Sequence, residues 1–203
     1  MTEITIFTDG AARGNPNGPG GYGSIVRFTD GKGVVHEREY SAGYAVTTNN
    51  RMELMAAIVA LENLKVPCRV TLYSDSKYLT DAYNEGWIYY WQTHGYRNKG
   101  GDAVKNTELW KRLFEQTERH EVTFVWVKGH NGHPENERCD QLATEAADGE
   151  QLYVDDGGDL REAVPYVADT DSPEALYERI ERLRAEIDEK MALLEKLEEQ
   201  YYS

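Results

Sequence analysis

The chain is poor in positive charge, cysteine and proline, and it has no long apolar run. Lysine and arginine number 22 against 36 aspartates and glutamates, a formal net charge of −14 over 203 residues. A surface of that sign does not hold phosphate backbones by counterion release, so a nucleic-acid ligand would need positive charge supplied another way, such as bound metal. The deficit is uneven: residues 1–149 carry 16 basic side chains against 20 acidic, and residues 150–203 carry 6 against 16. The two cysteines, Cys68 and Cys139, are too few for a disulfide framework and lack metal-ligand spacing, so they are expected to be reduced packing residues of a cytosolic protein. No stretch approaches the roughly 18 apolar residues that cross a bilayer, and the polar, mildly acidic Met1-Thr2-Glu3 lacks the basic and apolar regions of a signal peptide, so none is expected. The expectation is a cytoplasmic protein with no membrane partner.

What the chain does have is a clear succession of apolar segments. Residues 3–8, 22–29 and 34–41 predict strands, the last two joined at Asp30-Gly31-Lys32-Gly33, a hairpin signal. A helix over 50–64 follows, with Leu54, Met55, Ile58, Leu61 and Leu64 on one stripe and Pro67 beyond its end. Next come a strand over 70–74, a helix over 76–84, an aromatic-rich segment over 86–96, a loop, a helix over 107–118, a strand over 122–127 and a helix over 135–147. Hairpin-linked strands followed by helix–strand units predict an α/β fold, a mixed sheet flanked by helices, over residues 1–148.

Residues 149–171 are acidic and rich in small polar residues, the composition of a linker. Ser172-Pro173-Glu174 then starts a helix over 172–203 with a cap, a proline at the first helical position and early negative charge. In it Leu176, Ile180, Leu183, Ile187, Leu194, Leu197 and Tyr201 recur at heptad spacing, with Lys190 at one site of the stripe. An amphipathic helix of this kind predicts a short parallel coiled coil, hence a homodimer or a protein partner; folding back on its own domain is the competing expectation.

Four acids stand where chemistry is most easily assembled. Asp9 follows the apolar run Ile4–Thr8, Asp75 follows Val70–Ser74, and Glu53 and Asp140 are expected to open helices. If the two strands are parallel neighbours, both of their carboxylates emerge at one sheet edge, where the helices lie across them. Hard divalent ions such as Mg²⁺ take oxygen ligands of this kind, and converging carboxylates repel unless cations bridge them. Taken singly, each acid could equally be a helix cap or a solvated strand end.

The residues around the acids separate these readings. Thr8-Asp9-Gly10-Ala11, the run Thr48 to Leu54, the run Tyr73 to Tyr78 and the long block Val127 to Asp140 together resemble a bacterial type 1 ribonuclease H, from about Thr2 to Ala147. The resemblance implies a ribonuclease H-like five-stranded sheet with the fourth strand beside the first. It also implies an endonuclease that hydrolyses the RNA strand of RNA–DNA hybrids by a two-metal mechanism, leaving 5′-phosphate and 3′-hydroxyl ends. Asp9, Glu53, Asp75 and Asp140 are then the metal ligands for two Mg²⁺ ions, with Mn²⁺ a substitute, and His130 is a mobile proton carrier. Asn15, Thr48, Asn49, Asn50 and Trp87 become substrate contacts. Gly10, Gly14, Gly18, Gly20 and Gly21 would let the main chain approach the groove, while Arg97, Lys99 and Lys105 would meet phosphates. The chain departs from the family pattern at Tyr90, Gln92 and Thr93 in the substrate-gripping handle, and at Lys77. A non-catalytic hybrid-binding module that recruits a partner through its C-terminal helix is the alternative, and another nuclease of the same fold is a third.

Overall fold

The computed structural model describes residues 1–14, 18–129, 132–158 and 165, together with Arg184, Ala185, Ile187, Lys190, Met191 and Leu194. The chain divides into two compact units, Met1–Tyr166 and Val167–Ser203. The first unit runs β1 (Thr2–Ala12), β2 (Gly18–Thr29), β3 (Val35–Thr47), α1 (Asn49–Glu62), β4 (Cys68–Ser74), α2 (Lys77–Asn84), α3 (Trp87–Thr93), α4 (Thr107–Arg119), β5 (Glu121–Trp126), α5 (Pro134–Ala147) and β6 (Leu152–Tyr153).

The strands form one mixed sheet in the order β5-β4-β1-β2-β3-β6. The hairpin strands β1, β2 and β3 are antiparallel. β4 lies parallel to β1 and β5 parallel to β4, as strands joined through crossover helices must. The fourth strand is therefore beside the first. The turn between β2 and β3 closes as its sequence predicts: Gly33 adopts φ 81°, and the Asp30 carboxylate accepts from the backbone N–H groups of Lys32 and Val34.

Six strands replace the five expected, because Leu152 and Tyr153 pair with Gly43 and Tyr44 of β3. The first residues of the expected linker are thus part of the folded unit. β1 and β3 also extend past their predicted ends, and β2 begins at Gly18, ahead of its predicted start, so that most of the glycine-rich stretch left between the first two predicted strands is itself strand.

Helices cover both faces of the sheet. α1 packs on β1, β2 and β3, with α2 and α4 beyond it, while α5 packs on the opposite face against β1, β2 and β3. Every residue of α1 from Met52 to Leu61 is buried. The stripe read from the sequence is therefore only part of its contact surface: a helix apolar on all sides sits inside a core, here between sheet and helices. On the other face Phe7 and Ile25 meet Cys139 and Leu142 of α5. That helix lies very close to the sheet. A Cβ at Gly23 would stand 2.2 Å from the Cys139 carbonyl oxygen, so α5 is seated where the strand has no side chain.

In the second unit the six described residues are helical, and Ile187, Met191 and Leu194 are exposed. The remainder of the helix expected over 172–203 lies outside the described residues.

Candidate active site

Asp9 does not end its strand. β1 continues to Ala12 and pairs with β2 from Thr5 to its end, with Asp9 opposite Gly23. Its pairing with β4 stops at Thr8–Ser74, so Asp9 is the first residue of β1 beyond the end of β4, and Asp75 is the first residue of the chain beyond it. Parallel pairing brings the two carboxylates to one edge. The third acid comes from α1. Thr48 caps this helix, its hydroxyl accepting from the Arg51 N–H, and Glu53 follows in the second turn. Gly10 allows the approach, because a Cβ there would lie 2.4 Å from the Glu53 backbone nitrogen.

Carboxylate oxygens of Asp9, Glu53 and Asp75 lie within 4.8 Å of one another. Asp9 and Glu53 are buried, and Asp75 is half-buried. Burial first, then the charge of Asp75, pushes the Asp9 carboxyl up to about 8 in the metal-free protein, against a smaller opposing effect of the Gly10 N–H, which donates to Asp9 Oδ1 at 2.7 Å. Burial and the Asp9 charge raise Glu53 well above the usual carboxylate range. Asn49 Nδ2 donates to Glu53 Oε1 at 3.2 Å, while the buried Oε2 has no hydrogen-bond partner among the described residues. Three hard oxygen donors, two of them driven toward protonation and one with an oxygen left over, fit a divalent cation.

Asp140 stands apart from this triplet. It does not open α5, which begins at Pro134, where proline suits the first helical position. It lies in the middle of the helix, half-buried, and its charge contributes to raising Asp9.

The expected substrate contacts fall on two regions. Asn49 and Asn50 form the first turn of α1 after Thr48, Asn50 being exposed. Trp87 begins α3 and is also exposed. In the same segment Ile88 is fully buried and Trp91 packs edge-on against Trp110, so the aromatic run divides into core and surface. Trp87, Tyr90, Trp91, Asn98 and Lys99 line a cavity of about 280 Å³. Of the cations expected to meet phosphate, Arg97 donates to the Gly101 carbonyl within its own loop. Asn15 and His130 lie outside the described residues.

The glycines expected to admit the hybrid mostly serve packing inside the protein. Gly10 admits α1, and a Cβ at Gly21 would strike the Ala143 carbonyl oxygen of α5 at 2.4 Å.

Three further residues brace the site. The buried Asn136 donates to Asp75 Oδ2 at 3.4 Å. Trp126 Nε1 donates to the Asp75 carbonyl at 3.0 Å. A Cβ at Gly129 would lie 2.3 Å from Asp75 Oδ2. Asn136 and Gly129 sit within the block that ends at Asp140, and that is their only signal in the sequence.

A mixed sheet that gathers buried acids where a parallel strand pair ends is the framework of a metal-assisted hydrolase. The family model for RNase H matches residues 1–148. A ribonuclease H of Lachnoclostridium phytofermentans is 61% identical over 153 residues, covering 75% of this chain and 97% of that protein. One from Syntrophus aciditrophicus is 50% identical, covering 76% and 86%. Among solved structures, LC9-RNase H1, a type 1 RNase H with the type 2 active-site motif, is similar at TM-score 0.67 and 30% identity, over 82% of this chain and 78% of that one. The chain belongs to the ribonuclease H family, and it is an enzyme of that family.

Proposed function

We propose that this ribonuclease H cleaves the RNA strand of RNA–DNA hybrids at the Asp9–Glu53–Asp75 cluster, with Asp140 as a fourth ligand at its rim. The observation that carries the reading is the convergence of the triplet: three carboxylates with oxygens within 4.8 Å of one another, two of them buried, are relieved by divalent cations. Two Mg²⁺ ions, or Mn²⁺ in their place, when bound would supply activation of the attacking water and neutralisation of the leaving oxygen. The protein's own groups hold those ligands and the substrate. Asp9, with Glu53 and Asp75 beside it, would be the central residue among those that hold the ions. Asn49 orients Glu53, and Asn136 and Trp126 orient Asp75. Breaking the bond from phosphorus to the 3′ oxygen leaves a 5′-phosphate and a 3′-hydroxyl, and His130 carries a proton during product departure.

Selectivity for a hybrid rests on polar groups that meet 2′-hydroxyls in one strand and deoxyribose in the other. We assign Asn15, Asn49 and the turn before Glu53 to the RNA strand. Thr48 and Asn50 hold a phosphate of the DNA strand, and Trp87 presents an open aromatic face to it. The exposed Ile187 and Leu194 support a second role for residues 172–203, self-association through the heptad stripe. We place the enzyme in the cytoplasm, where buried free thiols such as Cys68 and Cys139 stay reduced. No described helix is long and apolar enough to cross a membrane.

The test is Mg²⁺-dependent cleavage of a labelled hybrid beside duplex DNA and duplex RNA, with Asp9→Asn as control. Cleavage of the RNA strand of the hybrid alone, abolished in the control while hybrid binding persists, is the expected result. Wild-type turnover by Asp9→Asn would overturn the assignment.

A further inference from the structure

Beyond α5 the chain returns along the edge of the sheet as a short strap that carries an acid with a buried side chain. β6 pairs with Gly43 and Tyr44 near the end of β3. Two residues later Asp155, whose side chain is 3% exposed, accepts from Arg51 Nε at 2.6 Å and Arg51 Nη2 at 2.7 Å, a bidentate pair. It also accepts from the Thr47 hydroxyl. Arg51 Nη1 in turn donates to Glu108 and Asn106 at the start of α4. The strap is pinned again by Arg112, which donates to the carbonyls of Gly157 and Gly158 and pairs with Glu62 at the end of α1.

The two residues that Asp155 holds, Thr47 and Arg51, flank Thr48, Asn49 and Asn50. Thr47 is buried and closes β3, while Arg51 sits in the first turn of α1, with its N–H on the Thr48 hydroxyl. We propose that Asp155 is a positioning residue for hybrid binding, which fixes from both sides the turn that carries Thr48, Asn49 and Asn50. This rests on the reading of that turn as a substrate contact. A buried carboxylate with three charge-assisted or hydroxyl donors has a single favourable placement, so the backbone between Thr47 and Arg51 is set before substrate arrives and binding does not have to order it. Asp155 bonds none of the clustered acids and reaches Glu53 only through Asn49 of the same turn, so the main effect falls on affinity, with at most a small one on the chemical step.

The experiment compares Asp155→Ala, Thr48→Ala, the double variant and Val26→Ala in the full chain at 25 °C, with kcat, KM and melting temperature measured for each. Val26 is a core residue on the distal part of β2 and reports what loss of stability alone does. Asp155→Ala is expected to raise KM about tenfold, the scale of one lost charge-assisted hydrogen bond, and to change kcat less than twofold. The double variant should fall short of the product of the two single effects, because the strap acts partly through Thr48. Unchanged KM in Thr48→Ala would remove the substrate-contact reading itself. A raised KM in Thr48→Ala with none in Asp155→Ala would overturn the positioning role alone. So would effects that multiply in the double variant, or an equal rise of KM in Val26→Ala.

Discussion

Gly10 and Glu53 touch backbone to backbone: the place where a side chain would begin on Gly10 is 2.4 Å from the Glu53 nitrogen. β1 and α1 can meet at this distance only because Gly10 has no Cβ, and the meeting brings the Glu53 carboxylate beside Asp9.

Gly10→Ala therefore pushes the second turn of α1 away from the sheet. The expected outcome is a stability loss of about 1–3 kcal/mol, the usual cost of overpacking, with hybrid cleavage reduced about 100-fold by displacement of one carboxylate. Urea unfolding and single-turnover cleavage measure the two separately, and an unimpaired Gly10→Ala enzyme would show that the close approach is not required.

The burial of the triplet, reinforced by its mutual repulsion, predicts an unusual pH dependence. The Asp9 carboxyl is raised from 3.8 to about 8 in the folded, metal-free protein. The native state thus binds a proton that the unfolded chain releases between those values, so this contribution to stability is present at low pH and is lost as pH rises toward 8. In EDTA the melting temperature should fall by about 5–10 °C between pH 6 and pH 8.5. Saturating Mg²⁺ should remove most of the fall, and Asp9→Asn should lessen it without metal, the buried Glu53 carboxyl keeping a share. A flat profile in EDTA for the unsubstituted protein would contradict the raised carboxyl.

Trp126 offers a subtler test. Its indole N–H holds the Asp75 carbonyl, and its ring lies 5.2 Å beneath the Lys77 ammonium. Trp126→Phe keeps an aromatic face for the cation and deletes the donor. Stability should fall by about 1 kcal/mol and kcat by about 3–10-fold, with KM little changed. A pure KM effect would mean that the ring, and not the hydrogen bond, is what matters.

Self-association through residues 172–203 is checked by sedimentation at tens of micromolar. The full chain should run as a dimer, and a truncation after Tyr166 as a monomer with unchanged hybrid affinity. Cutting at Gly149 instead would remove β6 and Asp155 as well, and would confound the tail with the strap. A monomeric full chain would exclude the coiled-coil dimer.

Much of this architecture is legible in the sequence because its signals are local. Ile4–Thr8 and Val70–Ser74 are apolar runs, each followed at once by an acid, and a parallel pairing of the two is enough to bring Asp9 beside Asp75. The hairpin at Asp30–Gly33 and the largely apolar α1 are equally plain. What stays hidden depends on distant partners. Gly10 to Ala12 look like a loop because glycine and alanine have low strand propensity, yet pairing with β2 extends the strand through them. Asp155 belongs by composition to a solvated linker, and only the Arg51 guanidinium, 104 residues earlier in the chain, makes its burial favourable. The position of Asp140 has a simpler physical reason: an acid suits a helix start, but Pro134 suits it better, and the helix that begins there carries Asp140 to its middle.

The two-residue strand β6 has a meaning for the molecule in solution. Without it β3 would be the outer strand along its whole length, offering unpaired amide and carbonyl groups to any extended chain it met. Leu152 and Tyr153 cover that edge at Gly43 and Tyr44, and a strand this short is a poor template for further pairing. The segment that steadies the substrate turn thereby also protects one side of the sheet from aggregation.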